Sequence, residues 1–164
     1  GAWEITGDMF KKWGEKGYEG GELKFPTGPV KKVGDGLAQE FQGGILTRNP
    51  DGKNQVSFGA IGKKYKDMGG ADSPLGFPTD GEKKVEGGFF QEFEHGSIDW
   101  SPESGAHYIL KGAIMDEWGK NGWELGEFGW PTSDYSEIAA GGLKQEFQHG
   151  TISEVMGRVQ TEKK

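Results

Sequence analysis

The tetrapeptide Leu75-Gly76-Phe77-Pro78 has two relatives in the same chain, Leu23-Lys24-Phe25-Pro26 and Phe128-Gly129-Trp130-Pro131, with prolines 52 and 53 residues apart. The same framework surrounds each. Trp13, Tyr65 or Trp118 stands thirteen residues before the proline, and Gln39-Glu40-Phe41, Gln91-Glu92-Phe93 or Gln145-Glu146-Phe147 follows thirteen or fourteen beyond it. A period near 50 marks a repeat architecture, in which each copy buries its apolar face largely against its neighbours. A unit of this size sits where isolated cores are marginal, so stacking is expected to supply the missing burial. The expected units are 1–58, 59–111 and 112–164.

Within each copy the periodicity changes twice. Met9 with Trp13, Ile61 with Tyr65 and Ile114 with Trp118 are apolar pairs four apart, one face of a short helix. Gly17, Gly69 and Gly122 follow each aromatic by four residues, where a left-handed helix stop is expected. The tetrapeptide comes next and reads as a rigid corner, its proline holding the preceding aromatic extended as an anchor. Beyond it, Leu37, Gln39 and Phe41 alternate with Glu40, a period-two pattern shared by the other copies and typical of a half-buried strand with its Glu outward. Glycine turns lead into a second strand, and Asn49-Pro50-Asp51-Gly52 and Ser101-Pro102-Glu103 return the chain through a third. The third copy is expected to lack this long hairpin, ending in Val155-Met156-Gly157-Arg158 and a charged tail. The fold class predicted is therefore α+β and β-rich: tandem repeats, each one short helix plus an antiparallel sheet of three to four strands, stacked into an elongated array.

Hydrophobic residues make up only 32% of the 164, but six Trp, ten Phe and four Tyr concentrate apolar area in few positions, so the core is expected to be aromatic. A net charge of −7 leaves no basic face for a phosphate backbone, which argues against nucleic acid as a partner. No apolar stretch approaches the roughly 20 residues that span a bilayer. With no cysteine, thiol enzymes, disulfides and thiolate metal sites are excluded.

The chain resembles the LGFP repeats, modules found on envelope proteins of mycolate-containing actinobacteria, including mycoloyltransferases and wall hydrolases. Carrying the resemblance are Leu75-Gly76-Phe77-Pro78, the upstream aromatic, Gln91-Glu92-Phe93 and Gly96-Ser97-Ile98-Asp99-Trp100-Ser101-Pro102 with Gly105-Ala106-His107. Lys24 replaces the motif glycine and Gly43 the histidine in the first copy, and Phe128 and Trp130 depart from the motif in the third. The resemblance implies an extracellular, wall-associated stalk holding a protein to the peptidoglycan–arabinogalactan polymer, with a fused or associated envelope enzyme as a further partner. It implies no catalysis in the repeats.

The residues themselves carry no nucleophile elbow, phosphate loop, dinucleotide fingerprint or zinc-protease motif, so neither catalytic residues nor a cofactor are expected. A glycosidase needs two carboxylates in unlike surroundings, whereas Glu40, Glu92 and Glu146 recur once per copy in like ones. His95 and His149 share a turn position, but no second donor lies near either in sequence, and a local hydrogen bond is the simpler reading than a metal site. Gln39, Gln91 and Gln145 face the apolar side of their strands, where an amide must bond either neighbouring backbone or a ligand. Sugar recognition combines such planar polar groups with aromatic faces. The candidate ligand contacts are therefore Gln39, Gln91 and Gln145 with Trp100, His95 and His149, Trp100 being placed equally well in the core or on the surface.

Overall fold

A computed structural model describes residues 3–164, with Ala140 described by its backbone alone; Gly1 and Ala2, which open the expected first unit, lie outside the described residues. One order of elements occurs three times. The first copy runs through α1 (Gly7–Glu15), a 3-10 turn at Tyr18–Gly20, β1 (Lys31–Val33), β2 (Gly36–Phe41), β3 (Gly44–Arg48) and β4 (Asn54–Phe58). The second has α2 (Gly59–Met68), a 3-10 turn at Gly70–Asp72, β5 (Lys83–Val85), β6 (Gly88–Phe93), β7 (Gly96–Ser101) and β8 (Gly105–Leu110). The third has α3 (Ala113–Lys120), a 3-10 turn at Trp123–Leu125, β9 (Ser136–Ile138), β10 (Gly142–Phe147), β11 (Gly150–Val155) and β12 (Arg158–Lys163). Each set of four strands is one antiparallel sheet in chain order. The chain is therefore a tandem array of α+β repeats. The residues group into two compact units, one reaching Glu82 and including Gln91–Glu94, the other comprising Lys83–Phe90 and His95–Lys164.

The helices form as their spacing predicts. Met9 and Trp13, Ile61 and Tyr65, and Ile114 and Trp118 are the buried pairs, and Gly17, Gly69 and Gly122 take left-handed φ of 98°, 112° and 98° where each helix stops. In the first unit α1 and α2 both pack on β3 and β4. Residues of one parity in that sheet, Leu46 and Val56, join Met9, Trp13, Leu23 and Phe41 in one core cluster. Ile45, of the other parity, reaches Gly70 at the foot of α2. Gly44–Thr47 is thus buried without a break, so β3 reads as a continuous apolar run instead of alternating. Full burial of one such aromatic or aliphatic side chain contributes about 1.5–3 kcal/mol, and it is the helix of the following copy that closes the sheet's second face.

The second unit holds an equivalent cluster of Ile109, Ile114, Trp118, Phe128, Phe147 and Ile152, with α3 packed on β11 and β12. Here one expectation needs correction. The charged tail of the third copy is β12, which pairs with β11 over six residues, from Val155↔Arg158 to Gly150↔Lys163. Met156 and Gly157, at φ 51° and 79°, make the two-residue hairpin turn that joins them. Every residue of β12 is exposed, so no apolar alternation betrays it in the sequence. The short strands β1, β5 and β9, three residues each, were likewise not foreseen, because three residues carry no readable period.

Candidate functional site

The tetrapeptide is the hub of each copy, and its polar groups are satisfied from within. Its first residue, Leu23, Leu75 or Phe128, is fully buried. Its second takes a left-handed φ, 61° at Lys24, 74° at Gly76 and 76° at Gly129, a conformation open to glycine without strain. That turn aims the carbonyl at the helix aromatic: Trp13 Nε1 donates to Lys24 O at 2.9 Å, the Tyr65 hydroxyl to Gly76 O at 2.7 Å, and Trp118 Nε1 to Gly129 O at 3.1 Å. The helix position therefore needs an aromatic with a donor at its tip, which Trp and Tyr have and Phe lacks. The third residue's N–H donates to the side-chain oxygen of Gln42, Glu94 or Gln148 at 3.3, 2.8 and 3.1 Å, and its carbonyl accepts from the same residue's N–H at 2.9 Å each time. Pro26, Pro78 and Pro131 complete the corner as bridges to Phe41, Phe93 and Phe147. Residues 42, 94 and 148 escaped sequence reasoning, although a long side chain with an amide or carboxyl oxygen recurs there in all three copies.

Burial sets the electrostatics of this hub. The Tyr65 hydroxyl is held far above the ordinary tyrosine range, first by burial and then by the Glu94 and Asp72 carboxylates. Glu82 is raised more modestly, by partial burial and then by Glu22.

The glutamines singled out from the sequence are buried and turned inward. Gln39 Nε2 donates to Glu4 O at 3.1 Å and Gly28 O at 3.0 Å; Gln91 Nε2 does so to Val56 O at 3.1 Å and Asp80 O at 3.0 Å; Gln145 Nε2 donates to Ser133 O. Of the two partners offered by the sequence, backbone in a neighbouring turn is the one present. In each case one acceptor lies where the chain leaves the ladder between the tetrapeptide and the short strand. For Gln91 the other lies in β4, the last strand of the preceding copy. All three Oε1 atoms are buried and without a partner among the described residues. Trp100 is half-buried on β7 with its ring 5.9 Å from that of Phe89. His95 and His149 are exposed in the turns after β6 and β10, where their carbonyls accept from Lys111 N and Lys164 N. His107 is held locally, its Nε2 2.6 Å from Ser104 O and its Nδ1 3.2 Å from Asp134 Oδ1. Among the described residues no group of three or more His, Asp or Glu is placed to hold a metal ion, and Glu40 and Glu92 point outward on separate strands.

Exposed aromatics mark a different surface. In the first unit an open groove of about 620 Å³ is lined by Trp3, Phe10, Trp13 and Phe25, with Glu4 and Gln42 at its polar edge. Phe25 is 55% exposed, against 7% for Phe77 and 5% for Trp130, which corrects the expectation that every tetrapeptide aromatic is an anchor. The cause is a seat in the preceding copy. Phe77 lies on Gly36, where an added Cβ would stand 2.5 Å from its ring, and Trp130 lies on Gly88 at 2.7 Å. Phe25 has no such glycine seat among the described residues and faces outward. Tyr18 and Trp123 are also about half exposed.

Compared with known protein families, the chain matches the LGFP repeat over residues 23–73 and again over 75–126. No curated protein matches it.

Proposed function

The chain belongs to the LGFP repeat family, and we propose that it is a noncatalytic module that anchors or spaces an envelope protein on the peptidoglycan–arabinogalactan polymer outside the cell. The repeats we take as 1–58, 59–111 and 112–164. The observation that carries this reading is the groove of Trp3, Phe10 and Phe25 bordered by Glu4 and Gln42. Flat aromatic faces suit the C–H side of a sugar ring, and the carboxylate and carboxamide beside them suit its hydroxyls. A polymer touching several copies at once needs little affinity per copy, because linked sites multiply their effect. No described helix is long and apolar enough to cross a membrane. The test is co-sedimentation with purified arabinogalactan–peptidoglycan: the protein is expected to leave the supernatant, and sedimentation no greater than with cellulose overturns the proposal.

A second reading, a spacer or protein-docking array without glycan affinity, draws on one fact. The surface around Phe25 corresponds to surfaces that a preceding sheet covers in the other copies. Crosslinking in intact cells that captures a protein partner through Phe25, together with unchanged NMR shifts on adding glycan, favours that alternative.

A further inference from the structure

Each copy has a further left-handed position, in its 3-10 turn: Tyr18 at φ 54°, Gly70 at 62° and Trp123 at 61°. For a bulky aromatic this conformation is a genuine outlier, and strain of that kind gathers where a side chain is held for a purpose. Four residues earlier, in the helix, stand Gly14, Lys66 and Gly119. The two positions change together. Where the helix has glycine the ring lies flat on it: an added Cβ would stand 2.8 Å from Tyr18 Cζ at Gly14 and 2.6 Å from Trp123 Cζ2 at Gly119. Behind each ring the buried helix tryptophan meets it edge-on, Trp13 at 5.5 Å and 83°, Trp118 at 5.3 Å and 78°. The outer part stays in solvent, 48% of Tyr18 and 45% of Trp123. A third position follows the pattern, for Glu19 and Glu124 come directly after the aromatics where the second copy has Ala71.

We propose that Tyr18 and Trp123 are stacking platforms for the apolar face of a neutral sugar ring, present in the first and third copies and absent from the second. The inference rests on the glycan-binding reading above and adds two contact residues outside the groove that carries it. Glycine in the last turn of the helix and a left-handed aromatic after it each cost stability, and two copies accept both costs together at the same place. The ring then has a fixed seat below and an open face above, which suits stacking against C–H groups. Glu19 and Glu124, next in sequence to the rings, suit hydrogen bonds from sugar hydroxyls and disfavour an anionic ligand. In the second copy Gly70 is buried beside Ile45 and Lys66 donates to Phe41 O at 3.2 Å, so no ring stands there, and Lys66, Gly70 and Ala71 instead help to line a pocket of about 230 Å³.

The experiment titrates the full chain with soluble arabinogalactan, following heat of binding and the amide and indole NMR signals. Tyr18→Ala and Trp123→Ala are each expected to weaken binding about three- to tenfold, and the double variant more than either. Tyr18→Phe and Trp123→Phe keep a flat ring and should stay within about twofold of the parent. Tyr18→Leu and Trp123→Leu keep bulk over the buried tryptophan without a ring and should remain weak. Leucine variants that bind like the parent make the aromatics mere covers and overturn the proposal. So do alanine variants that bind undiminished while the parent binds, an outcome that leaves the wall-binding reading standing. A parent chain that gives neither heat nor shifts sinks the wall-binding reading itself, and this inference with it.

Discussion

Lys24 occupies the one tetrapeptide position where its own backbone works against it, and replacing it with glycine should make the first unit more stable. Its φ of 61° costs an L-residue about 1–2 kcal/mol. Glycine removes that cost but adds freedom to the unfolded chain worth about 0.5–1 kcal/mol. The Lys24 side chain is exposed, and its carbonyl keeps the bond from Trp13 whatever the side chain. The net expectation for Lys24→Gly is a gain of about 0.5–1 kcal/mol, and a gain of 1 kcal/mol is about 4–8 °C in Tm for a unit of this size. The reverse change, Gly76→Lys, imposes the strain and sets a Cβ 2.5 Å from Glu94 Oε1, the acceptor of the Phe77 N–H. Losing that charge-assisted bond costs about 1.5–3 kcal/mol, so with the strain, and less the unfolded-state return, the loss is about 2–4 kcal/mol. The first copy already shows the crowding, since its Gln42 to Phe25 bond is the longest of the three at 3.3 Å. Hydrogen exchange of the Thr27, Gln42 and Gly43 amides, which pair with Glu40, Phe25 and Leu23, reads the first change locally; Thr79 and Glu94 read the second. Two shifts of the same sign, or faster exchange in Lys24→Gly, would refute the argument from φ.

Tyr65→Phe should cost about 1–3 kcal/mol in urea denaturation, because Gly76 O is left buried without its donor. Gln91→Met keeps the volume but strips donors from Val56 O and Asp80 O, and a loss of about 2–4 kcal/mol is expected by the same measurement. Alkaline stability should fall once unfolded tyrosines begin to ionise, near pH 10. Tyr65, and less strongly Tyr108 and Tyr135, keep their protons in the folded state, so the unfolded chain binds fewer protons there and stability drops as pH rises. Tyrosinate absorbance should therefore appear together with loss of near-ultraviolet ellipticity for Tyr65, and Tyr65→Phe should flatten the decline; absorbance from Tyr65 well before unfolding would contradict this.

The helices, the Gln-Glu-Phe strands and the hairpins could be read from the chain because each repeats a period with a stop after it. What stayed hidden lacks such a signature. β12 is exposed throughout, and β1, β5 and β9 are too short to alternate. Phe77 and Trp130 seat on Gly36 and Gly88 and Phe25 has no such seat among the described residues, a difference that a four-residue motif does not encode. The glutamines were rightly expected to face inward, yet their partners lie 11 to 35 residues away, so which carbonyls they bind depends on the fold. Tyr18 and Trp123 become visible only when three copies are aligned together with their dihedral angles, since Gly70 in the same place looks like an ordinary turn residue.

The bond from Gln91 to the Val56 carbonyl bears on how this chain responds to mechanical load. It ties together residues 35 apart, enclosing α2, its 3-10 turn and the second tetrapeptide, and Gln39 ties Glu4 across the same interval. Tension arriving along β4 is handed directly to β6, and the enclosed segment carries none of it until the clasp opens. Opening either clasp would then pay out up to about 120 Å of slack, so a pulled chain should lengthen in discrete, nearly equal steps from its first two copies.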